Sequence, residues 1–237
     1  MPRFAELAAA LADAERWLLP PECLLCRQPV PASDNDALAC ALCRNRWRAV
    51  PAPWCARCGH LLEQGEPCRL CPAWPAAIGR VRSAVLLEDG AREAVHYLKY
   101  EGWPRMAESL AAPMRALEPL TAGVCLIPIP LAAARARERG YNQAECLAAA
   151  LGRRTGLPVR PELLARTRDT STQTALPPDA RRANVAGAFV AEAAHGLRTV
   201  LVDDVFTTGA TLLSAAEALA AGGALSVDAV TFARAMG

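Results

Sequence analysis

Eight of the ten cysteines fall into four Cys-x-x-Cys pairs: Cys23 and Cys26, Cys40 and Cys43, Cys55 and Cys58, Cys68 and Cys71. Such a turn aims two thiolates at one ion about 2.3 Å away, with backbone amides supporting the sulfurs. Eight thiolates make two tetrahedral all-cysteine zinc sites, and Gly59 after Cys58 suits the left-handed turn of such a knuckle. Sequential pairing closes loops of 13 and 9 intervening residues and is favoured; interleaved pairing, as in cross-braced modules, is the alternative. A thioredoxin-type redox pair would need a surrounding βαβ unit, and the sequence offers none there. A module this small has little core of its own, so the two structural zinc ions supply its folding energy.

The second constellation is Thr199 to Leu212, T-V-L-V-D-D-V-F-T-T-G-A-T-L. A buried strand over Thr199 to Val202 ends in two acids, Asp203 and Asp204. A hydroxyl-rich turn follows, and then a helix. Thr207, Thr208, Gly209, Ala210 and Thr211 fall at the helix N-terminus, where free N–H groups and the macrodipole attract phosphate. Gly209 lets backbone approach the anion, and three threonine hydroxyls can donate. The two carboxylates are placed for sugar hydroxyls or a metal ion. Neither a GxGxxG nor a GxxxxGK pattern is present, which disfavours a dinucleotide fold and a nucleotide P-loop. A ribose 5-phosphate satisfies the whole arrangement.

The elements that must position these groups alternate strand and helix. Val81 to Leu87, Val124 to Ile129, Thr199 to Val202 and Val227 to Phe232 read as strands. Ala91 to Tyr100, Arg105 to Leu117, Ala144 to Arg154 and Thr211 to Ala221 read as helices, stopped by Gly156 and by Gly222 and Gly223 in the last two cases. Leu157 to Leu164 reads as an edge strand broken by Pro158 and Pro161, and 166–184 as a long polar loop. This alternation predicts a parallel sheet with helices on both faces. A boundary near residue 76, after Pro72, Trp74 and Pro75, separates 1–76, a helix and cysteine-rich module, from 77–237.

Composition agrees. Of 237 residues, 53 % are hydrophobic and 21 % charged, enough to build a core. A net charge of +2 excludes a histone-like or strongly acidic protein, and 5 % aromatics leave few rings for stacking nucleobases. Residues 131–185 carry 10 Lys+Arg against 5 Asp+Glu, a local excess of +5. No run reaches the roughly 18 apolar residues of a membrane span. Met1 to Pro20 reads as an amphipathic helix docking on its own protein, since its acids argue against a secretory signal. No membrane insertion is expected, and a cytoplasmic location follows, with cysteines unoxidised. His96 reads as packing in a helix, His60 and His195 as surface, and Cys125 and Cys146 as core.

Residues 200–211 resemble the binding motif for 5-phosphoribosyl-1-pyrophosphate (PRPP) of type I phosphoribosyltransferases. The cysteine array, Leu98 to Gly102, Pro128 to Leu131, Arg139 to Gln143, Arg166 to Gln173 and Arg181 to Phe189 resemble the competence protein F (ComF) family, so the resemblance spans nearly the whole chain. It implies a type I phosphoribosyltransferase fold, a parallel twisted sheet flanked by helices, behind a small double zinc-ribbon module. It implies that Asp203 and Asp204 hold the ribose hydroxyls directly or through Mg²⁺, and that Thr207 to Thr211 cradle the 5′-phosphate. Arg135 and Arg139 would face pyrophosphate, and a flexible loop with Arg166, Arg168, Gln173 and Arg181 would close over the site. Thr207 stands where purine-type enzymes usually carry an Asp. The pyrimidine type uses a loop lysine, and the only lysine here, Lys99, lies outside that loop. Asp203, Asp204 and Lys99 are the candidates for catalysis. The implied role is PRPP binding in support of handling incoming single-stranded DNA in natural transformation, alongside an ATP-driven DNA translocase. The alternatives are a genuine phosphoribosyltransferase on an unidentified acceptor and a PRPP-sensing regulatory module.

Overall fold

The computed structural model describes residues 21–31, 34, 38–63, 66–168 and 187–236. The expected N-terminal helix, and most of the loop at 166–184, lie outside the described residues.

Four strands, β1 (Val81–Leu86), β2 (Val124–Pro128), β5 (Arg198–Phe206) and β6 (Ser226–Arg234), form one sheet in the order β1-β6-β5-β2, with every neighbouring pair parallel. A parallel sheet is covered on both faces, which is why these strands are near-continuous apolar runs. Helices α2 (Asp89–Tyr100), α3 (Met106–Met114) and α5 (Gln143–Thr155) cover one face, where Leu98, Leu110, Leu147 and Leu151 meet Leu126, Val200, Val202 and Phe232. Helix α6 (Ala210–Ala221) covers the other, where Leu212, Leu213 and Leu219 meet Ile127, Leu201 and Val227. The burial of Ala91, Ala94, Val95 and Leu98 along α2 is the spacing of one helical face. Asn142 caps α5 by accepting from the Ala144 N–H at 3.0 Å, and Gly156, with φ of 73°, closes it.

A two-stranded antiparallel piece, β3 (Ala165–Arg166) with β4 (Phe189–Val190), brackets the polar loop. The expected edge strand at Leu157 to Leu164 shrinks to a single parallel bridge, Val159 to Leu126, followed by a 3₁₀ turn at Pro161–Leu163. Pro158 and Pro161 have no N–H to continue a ladder. Two short helices, α1 (Ala41–Asn45) and α4 (Ala133–Arg139), were not legible as elements.

The cysteine module is built into the sheet. Arg48 accepts from the Leu86 N–H at 2.8 Å, the Val50 N–H donates to Ala84, and Ala49 bridges Val85 antiparallel, so the segment lies along the outer edge of β1. Trp47 stands edge-on to Phe232 at 5.0 Å between ring centroids. The buried Arg82 guanidinium donates to the Ala56 carbonyl at 2.7 Å and to Glu118 at 2.6 Å. Among the described residues no helix is long and apolar enough to cross a membrane.

Candidate functional site

The four knuckles pair sequentially. Cys23, Cys26, Cys40 and Cys43 form one cluster and Cys55, Cys58, Cys68 and Cys71 the other, each with all sulfurs within 4.8 Å of one another. Sulfur separations are 3.8 Å for Cys23–Cys43 and Cys26–Cys40, and 3.5–3.6 Å for Cys58–Cys68, Cys55–Cys71 and Cys68–Cys71. A tetrahedron with zinc–sulfur bonds of about 2.3 Å has edges of about 3.8 Å. Both clusters therefore fit a four-thiolate zinc site in ligand number, type and spacing.

The strand bearing the acids does not stop at Val202. β5 runs on to Phe206 because β6 continues beside it, pairing Val205 with Ala233 and Phe206 with Arg234. Asp203 and Asp204 thus lie within a strand, and their carboxyl groups interact with one another. Asp204 shares a face with Val200 and Val202, the face covered by α2. There the last turn of α2 places Lys99 Nζ 2.6 Å from Asp204 Oδ2, with the Asp204 side chain only 3 % exposed. Burial alone would lower the pKa of Lys99, but the Asp204 carboxylate, with Asp203 behind it, raises it above the usual lysine range. That ion pair suits Lys99 as a counter-charge to the buried Asp204.

Burial pushes the Asp203 carboxyl well above the usual carboxylate range; Asp204 adds to this and Lys99 opposes it. The folded protein holds this proton more tightly than the unfolded chain. The associated stability is present at low pH and is lost as pH rises through the ordinary carboxylate range towards the raised folded value. Asp203→Asn removes the ionising group. Its melting temperature is expected to exceed that of the native sequence by more at about pH 8 than at about pH 5. Thermal melts at the two pH values check this; an equal offset at both contradicts it.

The turn between β5 and α6 forms where the sequence places it. Gly209 is the N-cap of α6 with φ of 79°, and the Thr208 hydroxyl accepts from the Ala210 N–H at 3.5 Å. The first helical amide bond is Leu213 N–H to Gly209 carbonyl at 2.9 Å. Thr207 is exposed, Thr208 half-buried and Thr211 half-buried beside Ala210. The turn combines helix-end N–H groups, a left-handed glycine and three hydroxyls one residue beyond the acid-bearing strand. That combination can hold an anion joined to a polyol.

The remaining residues arrive through neighbouring segments. Arg135 and Arg139 lie one turn apart on α4, which leaves the carboxyl end of β2. Arg139 donates to Gln143 and its guanidinium lies 5.4 Å from the Tyr100 ring centroid, next to Lys99. Tyr141 donates to the Leu98 carbonyl at 2.5 Å, tying the end of α4 to the end of α2. Arg166 reaches the Pro130 carbonyl at 3.5 Å and stands over Phe189, while Arg168 is exposed. Gln173 and Arg181 lie outside the described residues.

Sequence reading missed Phe206, Trp74 and Arg234, which pack together behind the turn. A buried arginine in an apolar strand was the available signal. His96 does not pack in the core: it is exposed and lies 3.1 Å from Glu101. His195 is exposed as expected, His60 and Cys146 are half-buried and Cys125 is buried.

The family described as a double zinc ribbon domain matches residues 14–72. The DNA utilization protein YhgH of Escherichia coli O157:H7 is 31 % identical over 220 residues, 89 % of this chain and 95 % of the relative. The competence protein ComFC of Bacillus subtilis is 28 % identical over 216 residues, 84 % and 85 % of the two chains. Competence protein F of Haemophilus influenzae is 28 % identical over 202 residues, covering 80 % of this chain and 86 % of the relative. Among solved structures, the glutamine PRPP amidotransferase of B. subtilis complexed with ADP and GMP aligns with a TM-score of 0.37 at 21 % identity, over 53 % of this chain and 26 % of that one.

Proposed function

Because the chain belongs to the family of the ComF-type competence and DNA utilization proteins, we propose that it binds PRPP, or a related ribose 5-phosphate, in support of cytoplasmic handling of incoming single-stranded DNA. The observation that carries the ligand is the turn from Thr207 to Thr211: a left-handed Gly209 at the start of a helix, following a paired Asp203 and Asp204.

In this reading the turn's N–H groups and threonine hydroxyls hold the 5′-phosphate, with the α6 macrodipole behind them. Asp203 and Asp204 take the ribose hydroxyls, and Lys99 offsets the negative charge they share. Two adjacent carboxylates also suit a hard, oxygen-seeking cation, so they would hold the Mg²⁺ that accompanies PRPP. When bound, that ion would neutralise diphosphate charge. Arg135 and Arg139 face the pyrophosphate, and Arg166 is held at the Pro130 carbonyl. The +5 excess at 131–185 gives a polyanion such as single-stranded DNA a weak, salt-sensitive purchase. An ATP-driven translocase is the partner that such a role calls for.

Calorimetric titration of PRPP with Mg²⁺ tests the ligand. Affinity in the micromolar range, about −8 kcal/mol, is expected for the native sequence. In Gly209→Val, a Cβ at this position would stand 2.9 Å from Phe206 Cε2 on a left-handed backbone. That variant is expected to bind at least about tenfold more weakly, with zinc content unchanged. No binding by folded, zinc-loaded native protein overturns the reading. Pyrophosphate release on adding a nucleobase would extend it to a transferase.

A further inference from the structure

The phosphate turn rests on the second cysteine cluster. Phe206, the residue before the turn, has the Arg234 guanidinium 4.0 Å from its ring centroid and the Trp74 ring tilted beside it at 6.0 Å. A Cβ on Gly209 would meet Phe206 at 2.9 Å and Trp74 Cζ2 at 3.5 Å, so the turn's backbone lies directly on these two rings. Both supports are hydrogen-bonded to the cluster's backbone. Trp74 follows Cys71 and donates its N–H to the Cys71 carbonyl at 3.2 Å. Arg234, 1 % exposed, donates to the Cys58 carbonyl. Arg57, inside the third knuckle, staples the connecting segment by donating to the carbonyls of Cys71, Pro75 and Ile78 at 3.1, 2.7 and 3.1 Å. Among the described residues the first cluster makes no such approach: the packing around it is with α2, α3 and Phe232, on the other face of the sheet.

We propose that Trp74 and Arg234 are positioning residues that transmit the rigidity of the second zinc knuckle to the phosphate turn, so that the shape of that turn depends on metal in the second cluster and not in the first. The ligand consequence rests on the PRPP reading above; the mechanical one does not. A turn whose floor is clamped by a metal-stapled segment needs no ordering when the anion arrives, which raises affinity without any added contact.

The test uses the full, zinc-loaded chain with three variants, Trp74→Leu, Trp74→Phe and Cys26→Ser. Zinc content, amide hydrogen exchange over 206–213 and PRPP affinity are measured on each. Trp74→Leu is expected to keep two zinc ions, exchange at least about tenfold faster over 206–213 and bind PRPP at least about tenfold more weakly. Trp74→Phe should restore most of both. Cys26→Ser should lose one zinc and leave exchange over 206–213 unchanged. Unchanged exchange in Trp74→Leu, or equal loosening in Cys26→Ser, overturns the proposal. Loosened exchange in Trp74→Leu with no PRPP binding by the native sequence sustains the coupling and removes the PRPP reading instead.

Discussion

Lys99→Met is expected to destabilise the protein by about 3–5 kcal/mol, because it leaves a carboxylate without its counter-charge in a nearly water-free place. Asp204 is 3 % exposed and meets Lys99 at 2.6 Å. At about 2–4 °C per kcal/mol for a chain of this size, the melting temperature should fall by on the order of 10 °C. Thermal melts of Lys99→Met and of the double variant Lys99→Met/Asp204→Leu separate the causes. The double variant should regain most of the loss, since an apolar pair of similar volume replaces a buried ion pair at little cost. It should not regain PRPP affinity, because the site then lacks an acid. If Lys99→Met melts with the native sequence, the pair is not the anchor described here. Lys99→Arg is not a neutral exchange either. This chain uses one lysine among its 26 basic residues, at the one place where a compact ammonium meets a buried carboxylate.

The larger effect belongs to Cys55→Ser. An apparent zinc-binding energy of about 10–16 kcal/mol for a four-thiolate site equals or exceeds the ~5–15 kcal/mol that holds a typical domain together. From sequence, this substitution should release zinc and unfold the first domain. The packing extends the damage: Cys55, Cys58 and Cys71 share one apolar cluster with Ile78, Val81, Phe206, Leu212 and Leu213. Metal analysis should find no more than one zinc per chain. Near-ultraviolet circular dichroism and urea titration should show no cooperative transition for the sheet domain. Two retained zinc ions would remove Cys55 from the ligand set. A single retained ion with an intact sheet transition would show that the two parts hold independently.

The cysteine clusters and the strand-turn-helix at Thr207 to Thr211 were readable because local spacing encodes them. Cys-x-x-Cys closes on itself, and Thr207 to Thr211 follows its strand without a gap. The parallel sheet was readable from apolar runs such as Val124 to Pro128, buried at every position. Long-range facts were not. Nothing near Lys99 announces Asp204, 105 positions later, and their meeting depends on α2 packing over the Val200–Val202 face of β5. Arg234 lay beyond the strand read at Val227 to Phe232; only the continuation of β6 beside Phe206 puts it against the second knuckle. The Leu157 to Leu164 segment failed as a strand because two prolines outweigh its apolar content. The acids were placed at a strand end because propensity disfavours Asp in strands, whereas pairing with β6 carries the strand through them.

Both borders of the sheet are occupied by the chain itself. Residues 48–50 hydrogen-bond along β1, and on the far side the Leu126 N–H donates to Pro158 at 2.8 Å while the Arg160 N–H donates to Leu126 at 2.9 Å. A sheet closed this way offers little unpaired backbone for another chain to extend. Association by adding a strand to this four-stranded sheet is thereby disfavoured. The cysteine module that closes one border also acts as a guard against the strand-to-strand association to which open parallel sheets are prone.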